Sequence, residues 1–408
     1  MRSLWRDGNF LLFWSGRTVS LVGSQITLLA LPMAAIIDLD ATPFEVSLVI
    51  TVATAAPLLV ALPAGAVVDR VRKRRFMVVS DVLSCLALLS IPLASHSGVL
   101  TVVQLALVGF FCASLDIGAE SARMSYLRDF LDSGRLVEGN SKIGGATSLA
   151  RMAGPALGGA LVGLIGAATS IAADATSFLF SALTLTFIKH REARPSRPAT
   201  RPRLRTEISA GLRYVLAHDT LKTLAFAGAI SAYLLTGVGA IWTTYLVREL
   251  HWSPAGIGVM LAVSCAGGLL GSVVTRRAFA KYGVFRVLLW ATLATAIGEL
   301  PVILVGPGTA GRLAVGAGYF VLMGGLVVSN TAQVSLQQAL SPPELLGRTS
   351  ASYRWLTWGA RPVAAAVAGA GTTVFGLWPV LAIHVVLLFV PAAILIASAA
   401  RSVSFELT

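Results

Sequence analysis

Two carboxylates, Asp116 and Glu120, lie four residues apart inside a long apolar run of this 408-residue chain. Residues four apart on an α-helix share one face, so both acids would point in the same direction. A charge inside an apolar, membrane-crossing helix costs about 2.5–3.5 kcal/mol or more, and such charges are rare and usually functional. Arg17 and Arg151 lie inside other apolar runs, and we expect one of them to pair with Asp116.

These charges are the minimum that a proton-exchanging site needs. A carboxylate whose basic partner moves away changes its affinity for a proton, which allows a proton to be exchanged for another solute. The alternative is a buried ion pair that only fixes helix packing. In the second half of the chain, Glu299 is the candidate for binding a proton or a cationic ligand. The predicted proton-coupling residues are Asp116, Glu120, Arg17, Arg151 and Glu299.

The composition indicates what kind of element carries these charges. Hydrophobic residues make up 56% of the chain and charged residues 12%, whereas soluble domains carry about 25% charged residues. The apolar residues form a dozen runs, and each has the roughly 20 residues that a helix needs to cross a bilayer. The runs lack the alternation of a membrane β-barrel. We therefore predict an all-α integral membrane protein with twelve transmembrane helices.

The basic residues, which give a net charge of +13, concentrate in alternate turns between the apolar runs. One of these predicted turns is 123–142, which follows the predicted fourth span at 99–120. By the positive-inside rule this places both termini in the cytoplasm of a cell-membrane protein. The longest connection, residues 189–219, is rich in arginine and proline and is predicted to be a cytoplasmic linker whose second part, 206–216, forms an amphipathic helix. A nucleic-acid-binding arm is the alternative, but topology alone accounts for a basic linker.

The two halves of the chain repeat. Three landmarks recur in the same order at nearly one offset, which indicates duplication of a six-helix unit. We predict halves at 1–188 and 220–408, and parallel repeats of this kind bind substrate at their interface near the bilayer midplane. The paired landmarks are Gly65-x-x-x-Asp69-Arg70 with Gly271-x-x-x-Thr275-Arg276, Gly154-Pro155-x-x-Gly158-Gly159 with Arg361-Pro362-x-x-Ala365-Ala366, and Gly166 and Asp174 with Gly376 and His384.

Two of these landmarks resemble motifs of the major facilitator superfamily. The turn between the second and third runs resembles the loop motif of that family, although Arg72 stands where the motif usually has glycine. The segment in the fifth run resembles the motif of drug:proton antiporters. The opening FLLFWSGRTVSLVGSQITLLALP and the later DATSFLFSA look like bacterial exporters of macrolides, tetracycline-like drugs and siderophores. The residues that carry the resemblance are Gly65, Asp69, Arg70, Lys73 and Arg74 in the loop motif, and Gly154, Pro155, Gly158 and Gly159 in the antiporter motif.

The resemblance implies gating roles for both motifs. Asp69 would face the N-terminus of the eleventh span, where free N–H groups favour a negative charge by about 0.3–1 kcal/mol. This contact would hold the outward-open state. Alternatively, Asp69 only neutralises the neighbouring bases. Gly154 and Pro155 would let the fifth span bend, and Gly158 and Gly159 would allow a neighbouring helix to approach closely.

Polar and aromatic side chains inside the spans are the candidates for substrate contact. Gln25 and Asn330 are the first choices, followed by Gln333 and Tyr233. Aromatic residues at such positions are more often anchors at the membrane interface.

The sequence offers no catalytic nucleophile constellation, no metal-ligand spacing and no phosphate-binding loop, so we expect neither an enzyme nor an ATP-driven pump. We predict a secondary active transporter without a cofactor, powered by the proton gradient, that exports a drug, an antibiotic or a siderophore. Its partners would be the substrate, protons and membrane lipid, with no nucleic acid, and the protein would be monomeric. An importer or uniporter of a small metabolite is the alternative, and a receptor or scaffold is a more distant one.

Overall fold

A computed structural model describes residues 4–68, 70–131, 135–189, 192, 212–342 and 345–401. No strand occurs among these residues, and long helices make up most of them. The all-α prediction is therefore confirmed. In the first half the helices are α1 (Gly8–Met33), α2 (Pro43–Val68), α3 (Lys73–His96), α4 (Val102–Phe130), α5 (Leu136–Ile165) and α6 (Ala167–Phe187).

The second half has the corresponding helices. Residues 212–217 are helical and precede the first of them. The ninth and twelfth helices are each interrupted, at Leu300 and at residues 388–389. The helices are α7 (Asp219–Arg248), α8 (Pro254–Tyr282), α9 (Val284–Glu299 with Pro301–Leu304), α10 (Thr309–Leu340), α11 (Leu346–Phe375) and α12 (Leu377–Leu387 with Val390–Arg401).

Eleven of these helices are long and apolar enough to cross a membrane, which confirms the integral membrane class. The one predicted span that is not among these eleven is α11, a helix of 30 residues. Arg354 and Arg361 lie inside α11 and lower its hydropathy. Its length still exceeds the roughly 20 residues that cross a bilayer.

The chain divides into two compact units. Unit 1 contains the residues before 200 together with Ser253–Ala262, and unit 2 contains residues 200–252 and those from 263 onward. The same five helix pairings occur in both. In unit 1 they are α1–α5, α1–α6, α2–α4, α3–α4 and α3–α6, and in unit 2 they are α7–α11, α7–α12, α8–α10, α9–α10 and α9–α12. The repeated packing supports the duplication that the sequence landmarks indicate.

One landmark has a direct backbone explanation. Gly166 separates α5 from α6 with φ at +87°, and Gly376 separates α11 from α12 with φ at +83°. Residues with a Cβ rarely adopt such angles, whereas glycine does so without strain. Each glycine thus ends one helix and begins the next in the same place of the repeat.

The predicted boundaries of α4 and α5 are wrong. Residues 99–120 were expected to form the fourth span and 123–142 a cytoplasmic turn, but α4 continues to Phe130 and α5 already begins at Leu136. Arg123 therefore lies on a helix. Its charge does not end the helix because the acids one and two turns before it lie on the same face.

Candidate functional site

Four charged side chains of α1 and α4 form one ion-pair network within unit 1. Arg17 Nη2 lies 2.7 Å from Glu120 Oε2, and Arg17 Nη1 lies 3.8 Å from Asp116 Oδ1. Arg123 Nη2 lies 2.5 Å from Asp116 Oδ1, and Arg123 Nε lies 3.0 Å from Glu120 Oε2. Each acid therefore contacts both arginines, and the two positive and two negative charges balance.

Three members of this network lie on α4 and one on α1. Asp116, Glu120 and Arg123 are separated by four and three residues, so they form one stripe on the helix surface. The helix α1 packs against α5 and α6, and its Arg17 side chain reaches the stripe on α4. Arg151, the other expected partner of Asp116, is exposed on α5.

Sequence reasoning missed Arg123 because the residue was assigned to a turn. The sequence does contain a signal for this residue, because Arg123 follows Asp116 and Glu120 at a spacing that places all three on one helical face.

The acids and the bases of the network differ in exposure. The side chains of Arg17 and Arg123 are 15% and 8% exposed, whereas those of Asp116 and Glu120 are 54% and 41% exposed. Each arginine is therefore held inside the unit by contacts with both acids, whereas part of each carboxylate side chain stays exposed.

Two further acids of unit 1 are almost fully buried. Asp81 on α3 accepts a hydrogen bond of 2.6 Å from the Ser181 hydroxyl, and Asp174 on α6 accepts one of 3.0 Å from the Ser177 hydroxyl. Neither acid forms an ion pair with a described residue. The Asp81–Ser181 hydrogen bond joins α3 to α6, and the Asp174–Ser177 hydrogen bond lies within α6.

The antiporter-motif glycines of α5 are packing positions. A Cβ at Gly154 would overlap the side chain of Gln25 on α1, and one at Gly158 would come within 3.2 Å of Ile26 Cα. The start of α8 belongs to unit 1, and a Cβ at Gly159 would lie 2.5 Å from the Pro254 carbonyl oxygen there. The motif therefore lets α5 lie directly against its neighbours.

Gln25, a predicted substrate residue, is half-buried beneath Gly154 on α5. Pro155 is buried inside α5, which runs through it as one helix from Leu136 to Ile165.

The bases of the loop motif divide between two kinds of contact. Lys73 Nζ lies 2.6 Å from Asp129 Oδ2 of α4. Arg74 Nε donates a 2.7 Å hydrogen bond to the Leu185 carbonyl oxygen at the end of α6. Arg70 is exposed. Gly65 lies near the end of α2, and Asp69 lies outside the described residues, so its gating role stays a prediction.

The candidates of unit 2 lie in separate contacts. Glu299 is 1% exposed and accepts a 2.8 Å hydrogen bond from the Tyr319 hydroxyl. Asn330 is exposed on α10. The two remaining substrate candidates contact other side chains: Gln333 accepts a hydrogen bond from the Tyr353 hydroxyl, and Tyr233 stacks on His384 with ring centroids 6.3 Å apart.

The chain resembles known transporters in sequence. A family model described as the Major Facilitator Superfamily matches residues 13–360. The multidrug efflux pump Tap of Mycolicibacterium fortuitum is 26% identical, and the alignment covers 95% of this chain and 96% of that protein. The pump of the same name from Mycobacterium tuberculosis strain H37Rv is 28% identical over 75% of each chain.

Solved structures show the same fold at low identity. A bacterial homologue of the iron transporter ferroportin in its inward-facing state has a TM-score of 0.77 at 15% identity and covers 98% of this chain and 100% of its own. The nucleoside transporter NupG has a TM-score of 0.78 at 12% identity and covers 96% and 99% of the two chains.

The family match, the full-length similarity to efflux pumps and the shared fold agree with the twelve-helix repeat and its apolar spans. The chain therefore belongs to the major facilitator superfamily and is a multi-pass transporter of the cell membrane.

Proposed function

We propose that this transporter exports amphipathic small molecules, such as drugs, antibiotics or siderophores, in exchange for protons. The observation that carries the proposal is the network of Arg17, Asp116, Glu120 and Arg123, in which two partly exposed carboxylates share two buried guanidinium groups. The names of the relatives, which are multidrug efflux pumps, support a drug-like substrate.

The network can couple two events because its charges balance. Protonation of Asp116 or Glu120 leaves the network with a net positive charge. The electrostatic attraction between α1 and α4 is then weaker. Arg17 is on α1 and the acids are on α4, so the contact that weakens joins two helices. A change of helix contact on proton binding is what a proton antiporter needs.

The proton gradient is the proposed energy source, without a cofactor. Glu299 is proposed as a second proton-binding residue because it is a buried acid within a membrane-spanning helix. Gln25, Tyr233, Asn330 and Gln333 remain proposed substrate contacts. The cytoplasmic placement of both termini is proposed from the distribution of basic residues.

Inside-out membrane vesicles test the proposal, with ethidium as the fluorescent probe. An imposed gradient, acidic inside, is expected to drive ethidium accumulation by the wild type. Asp116→Asn and Glu120→Gln should each lower this accumulation at least about tenfold, in keeping with the loss of a general proton-transfer group. Both variants should still exchange labelled for unlabelled ethidium without a gradient.

Asp129→Asn is the matched control, since Asp129 is also an acid of α4 that forms an ion pair, with Lys73, but it lies outside the network. It should accumulate ethidium as the wild type does. Accumulation by the wild type in the absence of a gradient would remove the antiport claim. Accumulation only in vesicles of the opposite orientation would favour an importer.

A further inference from the structure

A cavity of about 610 Å³ lies where the start of α3 meets the end of α6. Four basic side chains line it, against one acid, Glu192. The cavity therefore has an excess of three positive charges. The apolar residues Val78 and Ile188 also line it. The basic residues are Arg72, Arg74, Arg75 and Lys189.

Contacts within the protein account for two of the charges. Glu192 accepts hydrogen bonds from the backbone N–H groups of Lys73 and Arg74, at 2.6 and 3.2 Å, so the acid is held at the first turn of α3. The Arg74 side chain is directed to the last carbonyl groups of α6. Both groups are therefore used in joining α3, α6 and the chain that follows α6.

The other three bases have no acidic partner in the part of the chain that the structure describes. Arg72, Arg75 and Lys189 are exposed, and none of them takes part in an ion pair. Membrane topology explains why bases occur on this side of the membrane. It does not explain why three of them, from two different helix ends, line one cavity.

Exposed apolar residues lie next to the lining residues in α3 and α6. Val79 follows the lining residue Val78 and is 48% exposed, and Phe187 lies between two lining residues and is 67% exposed. Leu183, one turn further along α6, is 49% exposed. On a membrane-spanning helix such residues contact acyl chains, so the charged cavity at the helix ends would lie at the level of the head groups.

We propose that this cavity binds the phosphate head group of an anionic phospholipid, with Arg72, Arg75 and Lys189 as the basic ligands. The acyl chains would lie along α3 and α6 beside Val79 and Phe187. Basic pockets between membrane helices at the head-group level are suited to such lipids. The bound lipid would add a further connection between the ends of α3 and α6.

Lipid retention by the purified protein tests the site. The protein in a neutral detergent is titrated with phosphatidylglycerol, phosphatidylcholine or inorganic phosphate, and bound lipid is counted by native mass spectrometry. The wild type should retain phosphatidylglycerol. The triple variant Arg72→Gln, Arg75→Gln, Lys189→Gln should need a lipid concentration at least about tenfold higher to reach the same occupancy. Phosphatidylcholine should bind weakly to both proteins.

The matched control is the triple variant Arg276→Gln, Arg277→Gln, Arg286→Gln. It removes three exposed bases at the corresponding turn of unit 2, so the change in net charge is identical. It should retain phosphatidylglycerol as the wild type does. Equal retention by all three proteins would overturn the proposal, as would equal retention of the two lipids.

Displacement of phosphatidylglycerol by a large excess of inorganic phosphate would show that the cavity takes a free anion, which contradicts the lipid assignment.

If the first triple variant does not elute as a folded protein, Arg72→Gln and Lys189→Gln are tested singly. Each is an exposed position and should lower retention by a factor of about three or more. The test uses no transport assay, so its outcome is separate from that of the antiport proposal.

Discussion

Arg17 of α1 and Glu120 of α4 form an ion pair of 2.7 Å, and each of them also contacts the opposite charge of a second pair, Asp116 and Arg123. The four side chains therefore act as one network. Removal of a single member leaves three charges that do not balance, whereas removal of an opposite pair leaves a balanced one. This difference is measurable in the stability of the protein.

A double-mutant cycle on Arg17→Gln and Glu120→Gln should show strong coupling. Each single change leaves the network with three charges that do not balance, and the double change restores the balance. We expect a coupling free energy of about 0.5–3 kcal/mol, as found for residues of one network. The measurement is thermal unfolding of the purified wild type, both single variants and the double variant.

The pair of Lys73 and Asp129 provides the reference cycle. It is a single ion pair at the end of α4, and its side chains are 21% and 41% exposed. Exposed pairs contribute about 0.2–1 kcal/mol. Additive losses in the Arg17 and Glu120 cycle, or coupling no larger than in the reference cycle, would contradict the network as a unit.

Gly154 and Gln25 offer a test that separates packing from substrate binding. Gly154→Ala should lower stability by about 1–3 kcal/mol because the new methyl group overlaps the Gln25 side chain. Gln25→Gly removes both overlapping atoms, Gln25 Cβ at 2.3 Å and Cγ at 2.9 Å. The double variant should therefore regain stability relative to Gly154→Ala, less the roughly 1 kcal/mol that glycine costs inside a helix. Thermal unfolding measures this recovery.

Ethidium transport by the same double variant then examines the role of Gln25. If the Gln25 amide contacts substrate, the refolded double variant should transport with a raised KM. Recovery of stability together with a wild-type KM would assign Gln25 to packing alone. Failure of Gln25→Gly to restore any of the stability lost in Gly154→Ala would contradict the contact itself.

Much of the fold follows from the sequence because a bilayer imposes a strict length and polarity on each span. Eleven of the twelve predicted spans are apolar helices in the structure. The errors arise where charge was taken to mean a turn. Arg123 was assigned to a cytoplasmic turn on its charge alone, but Asp116 and Glu120 neutralise that charge, and the helix continues past it to Phe130.

The site was less accessible from the sequence. The spacing of Asp116 and Glu120 placed both acids on one face, since helical periodicity is a local property. Their partners could not be chosen in the same way. Arg17 and Arg151 lie at similar depths in their runs, and the rotation of each helix, which depends on packing at positions such as Gly154 and Gly158, decides which one meets the acids.

Gly159 tests whether the close approach of α5 to the start of α8 is required for transport. A Cβ there would lie 2.5 Å from the Pro254 carbonyl oxygen and 2.9 Å from Gly258 Cα, and neither backbone can rotate away. Gly159→Ala should therefore lower ethidium export at least about tenfold, which corresponds to 1.4 kcal/mol or more. Export is measured by fluorescence in cells that carry equal amounts of each variant.

Gly144→Ala is the control for a glycine of the same helix. A Cβ at Gly144 would meet nothing within 4 Å, and alanine favours the helix more than glycine does. This variant should export as the wild type does. Wild-type export by Gly159→Ala would show that the helices separate at no functional cost.

Glu299 and Tyr319 allow the same kind of separation in unit 2. Tyr319→Phe removes the hydroxyl that donates to the Glu299 carboxyl group and leaves a buried polar group with one partner fewer. We expect a stability loss of about 1–3 kcal/mol. Tyr353→Phe is the control, because the Tyr353 hydroxyl donates to the neutral side chain of Gln333 and should cost less.

Glu299→Gln keeps an oxygen that can accept the Tyr319 hydrogen bond but removes the ionisable group. The variant should therefore unfold at nearly the wild-type temperature. If Glu299 binds a coupled proton, gradient-driven ethidium accumulation should still fall about tenfold. Unchanged accumulation would show that Glu299 serves only to join α9 to α10 through Tyr319, and the coupling would then rest on the α1 and α4 network alone.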